Sequence, residues 1–187
     1  MAHNRNVVLL ITSTLVASWM GMQAVHELGH CLGAWATGGS IARVILKPWT
    51  ISQTILAENP KPLAVVWAGP IIGVTVPLLL WAFAAWRTLT IAFALRFFAG
   101  FCLVANGIYL GIGSFFGIGD CGEMLCHGSN IFWLWLFGLA TIPAGFFLWN
   151  GEGANFGIGK SAKTVNRWIA IKIFLIAISL CAIGSIL

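Results

Sequence analysis

The sequence predicts an all-α polytopic membrane protein with about five transmembrane helices and a short β-hairpin-like segment between the first two. Three observations lead to this prediction. The chain has 187 residues, of which 59% are hydrophobic and 8% are charged, whereas soluble domains carry about 25% charged residues. Five apolar segments come close to the roughly 20 residues that a helix needs to cross a bilayer. One connection between them shows the two-residue alternation of strands.

The five apolar segments fill most of the chain, and we predict that they form a single transmembrane domain. Arg96 interrupts the third segment, and its long side chain is expected to reach the nearer interface. The predicted membrane helices cover residues 7–37, 63–86, 88–119, 129–149 and 168–187.

The connection at residues 38–62 differs from the others because Ile41, Arg43, Ile45 and Lys47 alternate with Ala42, Val44 and Leu46. The alternation runs from Ile41 to Lys47, stops at Pro48-Trp49-Thr50, and resumes from Ile51 to Ala57. Two short strands around a turn explain this pattern better than a helix does. An ordinary loop is the alternative.

The charged residues and cysteines limit the classes of partner. The net charge is +5, but the basic residues are scattered through loops and segment ends, with no basic run among aromatics. This distribution favours contact with lipid headgroups over nucleic acid. Of the five cysteines, Cys121 and Cys126 lie close together, as a disulfide or ligand pair would. The odd number and the spacing indicate no disulfide framework.

The most informative motif lies in the second half of the first apolar segment. It has the form H-E-x-x-H and reads His26-Glu27-Leu28-Gly29-His30. On a helix, His26 and His30 share one face and can bind one Zn²⁺. Glu27 lies beside them, where a general base would take a proton from water. Ionisable side chains are costly at membrane depth, so a functional site is more plausible here than a chance pattern.

A catalytic zinc usually has three protein ligands, so one ligand remains to be found. Asp120 is the only aspartate in the chain. If the apolar segments cross the membrane in alternation, it falls on the same side as the two histidines. Glu123 and His127 are rival third ligands, because they would share a helical face with Asp120. Asp120 and Glu123 also fit a helix-capping box.

With these residues placed, the chain resembles the site-2 protease family of intramembrane zinc metalloproteases. The resemblance covers roughly residues 7–125, which would be the family's three-helix catalytic core, and residues 129–187 would add two further helices. It implies that His26, His30 and Asp120 bind zinc and that Glu27 is catalytic. Ala68-Gly69-Pro70 resembles the family's Ala-Gly-Pro signature, and the segment at 41–57 falls where the family carries strands that dock an extended substrate.

The chain departs from the family pattern at two places in the sequence, and its charge distribution disagrees with the family's membrane orientation. Gly119-Asp120-Cys121 replaces the family's Leu-Asp-Gly, and Gly73 stands where an asparagine is frequent. Asn106 is a candidate polar substitute for that asparagine. The resemblance also implies that the motif's end of the first helix faces the cytoplasm. The distribution of Lys and Arg in the loops predicts the opposite orientation.

We therefore predict a membrane metalloprotease that hydrolyses peptide bonds of membrane-spanning substrates, as in regulated intramembrane proteolysis. Zn²⁺ is the predicted cofactor, and a transmembrane protein and the lipid bilayer are the predicted partners. The alternatives are a non-hydrolytic membrane protein that binds or transports metal, and an inactive protease-like scaffold. The oligomeric state stays open.

Overall fold

The structure is a computed structural model that describes residues 2–186, with side chains from residue 4 onward. Helices account for most of this part of the chain, and one hairpin interrupts them. In chain order the elements are α1 (Ala2–Ala36), β1 (Ser40–Ile45), β2 (Gln53–Glu58), α2 (Pro62–Trp86), α3 (Ala92–Gly111), α4 (Gly119–Cys126), α5 (Ile131–Trp149) and α6 (Arg167–Ile186).

The predicted fold class is confirmed. Within the described residues, five helices are long and apolar enough to cross a membrane, namely α1, α2, α3, α5 and α6. The third predicted segment was too long, because α3 ends at Gly111 and not near residue 119. A short 3-10 turn follows, and Gly117 and Gly119 have φ values of +60° and +59°. This left-handed backbone, which glycine adopts without steric cost, redirects the chain into α4.

The predicted hairpin is also confirmed. Strands β1 and β2 are antiparallel, with Val44 opposite Thr54 and Ile45 opposite Gln53. Trp19 of α1 donates an indole N–H hydrogen bond to the carbonyl of Pro48 at 3.0 Å. This contact fixes the turn of the hairpin against the first helix.

Glycines allow two pairs of helices to approach closely. A Cβ added at Gly29 of α1 would collide with the backbone of α2 at Ala68 and Gly69. A Cβ added at Gly107 of α3 would collide with Thr141 of α5. Such small-residue contacts are common between membrane helices. Gly117 has no such packing role, because a Cβ there would meet no atom within 4 Å.

Arg96 does not simply extend to an interface as expected. Its guanidinium donates from Nη1 to Oε1 of Glu152 at 2.7 Å, and the Glu152 side chain is only 5% exposed. The pair joins the first turns of α3 to the loop after α5. A buried carboxylate is retained here because a cation neutralises it.

Candidate metal centre

A cavity of about 490 Å³ lies between α1, the hairpin, α3 and α4. All three residues of the predicted ligand set line it, and so does Glu27. Among the described lining residues, three are carboxylates and none is Lys or Arg. The cavity therefore has acceptors and negative charge but no side-chain cation that is permanently charged.

His26, His30 and Asp120 meet at one point in this cavity. The Nε2 atom of His26 lies 2.8 Å from Oδ2 of Asp120, and the Nε2 atom of His30 lies 3.3 Å from the same oxygen. The two Nε2 atoms are 3.1 Å apart. Both histidines are buried, with 7% and 8% of their surface exposed, and Asp120 is partly buried. These three residues can hold a metal ion.

The remaining hydrogen bonds define which ring nitrogens carry protons. The Asn106 side chain donates from Nδ2 to the Cys102 carbonyl at 2.9 Å, so its Oδ1 atom is the one that faces His26 Nδ1, at 2.7 Å. His30 Nδ1 lies 3.0 Å from the carbonyl oxygen of Val65. Both Nδ1 atoms face acceptors and must donate to them. The Nε2 atoms of the neutral rings then present lone pairs to each other and to Asp120.

These distances fit a tetrahedral zinc ion. With Zn–N bonds of about 2.0–2.1 Å, two ligand atoms of a tetrahedral site lie about 3.3 Å apart. The spacings of 2.8–3.3 Å among the three atoms are close to that value. A proton placed among them would join only one pair, whereas a metal ion would bind all three. The hydrogen bonds at Nδ1 also fix the rings as outer partners of metal-binding histidines do.

Asp120 is placed by α4 and by the end of α3. It lies in the first turn of α4, and its backbone N–H donates to the hydroxyl of Tyr109 at 3.0 Å. This contact holds the start of α4 in place, so that the Asp120 carboxylate points at His26 and His30.

The capping-box hypothesis for Asp120 and Glu123 is wrong. The N-cap residue of α4 is Ile118, and no side chain caps the helix. The Asp120 carboxylate instead faces His26 and His30. The redirected backbone at Gly117 and Gly119 explains the difference, because it starts the helix one residue before Asp120.

The rival ligands lie outside the group of three. Glu123 lines the cavity but is exposed, and His127 is exposed beyond the end of α4. Cys121 and Cys126 are free thiols. Burial, aided by the Asp120 carboxylate, raises the pKa of the Cys121 thiol to about 11, so it is not a thiolate at neutral pH.

Two hydroxyls of the hairpin hold Glu27, a contact that no sequence pattern predicted. Ser52 Oγ donates to one carboxylate oxygen of Glu27 and Thr54 Oγ1 donates to the other, both at 2.6 Å. The Glu27 side chain is almost fully buried, with 3% exposed. It lies in the same cavity as the ligand atoms but does not belong to their group. Such a position suits a base better than a ligand.

Two glycines of α2 make room for the site. A Cβ at Gly69 would collide with the imidazole of His30, and a Cβ at Gly73 would lie 3.1 Å from the amide of Asn106. Gly69 belongs to the Ala68-Gly69-Pro70 sequence. The side-chain amide of Asn106 therefore lies beside Gly73. Gly73 is the position at which the family resemblance predicted an asparagine.

Comparison with protein-family models, with curated proteins and with solved structures finds no match to this chain. The chemistry of the cavity is therefore the basis for assigning a function.

Proposed function

We propose that this chain is a multi-pass integral membrane protein and an intramembrane zinc metalloprotease of the site-2 protease type. One observation carries the proposal. Two neutral imidazole nitrogens and a carboxylate oxygen converge beside a separate buried carboxylate, Glu27, in a cavity lined by a membrane-length helix. Ionisable side chains are costly at membrane depth, so their presence there indicates a functional site.

The donor set favours zinc in a catalytic role. Two histidines and one carboxylate are the ligands of several zinc hydrolases, which leave a fourth position for water or substrate. A structural zinc site would have four protein ligands. When bound, the metal would act as a Lewis acid toward the substrate carbonyl and would lower the pKa of water.

Glu27 is the proposed general base. It would take a proton from the attacking water and deliver it to the nitrogen of the leaving amine as the peptide bond breaks. Ser52 and Thr54 orient its carboxylate through both oxygens. The hairpin thus positions the base, and a shift of β2 would change the geometry of the reaction.

The hairpin also offers a place for the substrate. Its two-stranded sheet leaves one edge of β2 without a partner strand, and Ser52, Gln53, Thr54 and Leu56 line the cavity. A locally unwound substrate segment could add to this edge as an extended strand. Unwinding is required because a helix occupies its own amides and carbonyls in hydrogen bonds.

The test is cleavage of a co-expressed membrane substrate by wild type and by Glu27→Gln. The substitution preserves size but removes the base, so cleavage should fall by a factor on the order of 10² or more. Zinc content should not change, because Glu27 is not one of the three ligands.

Glu123→Gln is the matched control, since it makes the same change at another carboxylate of the cavity and should cleave normally. A non-hydrolytic metal protein would show zinc but no cleavage in wild type. Cleavage by Glu27→Gln at the wild-type rate would contradict the proposed mechanism.

A further inference from the structure

Gln23 of α1 is a buried residue whose side-chain amide has no hydrogen-bond partner among the described residues. It is 2% exposed and lines the same cavity as the histidines. Neither its Oε1 nor its Nε2 has a hydrogen-bond partner among the described residues. Buried polar side chains are nearly always partnered, because desolvation without a hydrogen bond is costly. Gln23 is therefore an exception that needs an explanation.

The neighbouring polar groups do not engage Gln23. Both oxygens of Glu27 accept from hairpin hydroxyls, and Asn106 uses its oxygen at His26 and its NH₂ group at Cys102. Trp19, one turn before Gln23, directs its N–H to Pro48. The hydrogen-bonding capacity of Gln23 is thus left for a molecule that enters the cavity.

The helix places Gln23 at a defined distance from the reaction site. It precedes His26 by three residues and Glu27 by four, so all three share one face of α1. The rise of a helix separates Gln23 from Glu27 by about 6 Å along the axis. An extended peptide covers about 6.6 Å in two residues.

The chemistry of the side chain indicates the type of group it would bind. A carboxamide offers one acceptor and a neighbouring donor and carries no charge. One residue of an extended main chain offers the reverse, an N–H and a C=O that point to the same side. Asn59 of the same cavity also has a buried Oδ1 without a partner among the described residues. Two neutral amides in one cavity suit a peptide backbone better than an ion.

We propose that Gln23 is a substrate-binding residue that pairs with the main-chain N–H and C=O of a residue about two positions from the scissile bond. The proposal rests on the proposed function, since it takes a peptide as the occupant of the cavity. The substrate would then enter as an extended strand past Trp19 and Gln23. Part of the binding affinity would not depend on the side chains of the substrate.

The test measures binding of two peptide hydroxamates to the zinc-loaded protein. The hydroxamate group fixes the register by chelating the metal, and the second compound replaces the peptide bond two residues away with an ester, which removes the N–H donor. Wild type should bind the amide compound about 10-fold more tightly than the ester, the usual scale for a buried hydrogen bond. Gln23→Leu should bind both compounds equally, with unchanged zinc content.

Thr14→Val is the matched control. Thr14 is a buried polar residue of the same helix whose hydroxyl bonds to the Leu10 carbonyl, and the variant should keep the 10-fold ratio. Gln23→Met checks that the result does not depend on the shape of leucine. A 10-fold ratio that persists in both Gln23 variants, or loss of zinc from them, would overturn the proposal. If the ratio behaves as expected but wild type cleaves no peptide, the assignment of Gln23 stands and the proposed hydrolysis fails.

Discussion

The described residues include two largely buried clusters of ionisable side chains, one near each end of α3, and they differ in how their charge is balanced. In the first, Arg96 and Glu152 form a salt bridge at 2.7 Å, and Asn155 donates to the second oxygen of Glu152 at 2.9 Å. In the second, His26, His30 and Asp120 direct one acceptor atom each at a common point. The first cluster supplies its own cation, and the second does not.

This difference separates a structural role for the first cluster from the functional role that we propose for the second. A carboxylate that is neutralised by a fixed guanidinium joins two parts of the fold and needs nothing further. Three acceptor atoms that converge without a fixed cation of their own form a group that could hold a metal ion. Substitutions in the two clusters should therefore affect different properties, namely stability in the first and metal content with activity in the second.

Among changes that leave the three proposed ligands and Glu27 in place, the largest effect is expected from Gly69→Ala. The new methyl group would collide with the imidazole of His30, and the ring is the part that can move. Rotation of the ring away from Asp120 should lower zinc affinity and cleavage by about 10- to 100-fold, the range found when the support of a ligand is lost.

Competition with a chelator would measure that loss. Gly153→Ala is the control, because a Cβ there meets only ordinary contacts, at 3.6 Å or more. Equal zinc affinity in the two alanine variants would show that α2 does not position His30.

Asn106→Ala should have the next largest effect. It removes the acceptor that fixes the Nδ1 proton of His26, so zinc affinity should fall by about 10-fold. Asn155→Ala is the matching change in the salt-bridge cluster and should leave zinc affinity unaltered. Loss of zinc affinity in both asparagine variants, or in neither, would contradict this prediction.

The smallest effect on the metal is expected from Glu152→Gln. The variant replaces a charged acceptor of Arg96 with a neutral one, and unfolding in detergent should show a loss of about 1 kcal/mol. Zinc content should stay at the wild-type level. A drop in zinc in this variant would mean that the two clusters are coupled through α3.

The sequence predicted most of the fold and the three side chains that meet in the cavity, because both follow from patterns that the chain itself carries. Apolar length defines the spans, and an i, i+4 pair places His26 and His30 on one helical face. Asp120 followed from counting crossings. The end of α3 was placed too late, because the left-handed turns at Gly117 and Gly119 leave no signal in hydropathy.

The partners of the site could not be predicted in the same way. Ser52 and Thr54 reach Glu27 only because the hairpin folds back onto α1, and no spacing along the chain encodes that approach. Asn106 and Gln23 did leave a usable signal, since each is a polar amide within an apolar segment. Such residues are expected to have a partner or a task at membrane depth.

We propose that His26, His30 and Asp120 bind one catalytic metal ion, and elemental analysis of zinc in the purified protein would decide whether they do. Purified wild-type protein should contain about one zinc per chain. Asp120→Ala should lose it, and Glu123→Ala, a change at the rim of the same cavity, should retain it. Wild type without zinc would contradict the account, as would Asp120→Ala that keeps its zinc while Glu123→Ala loses it.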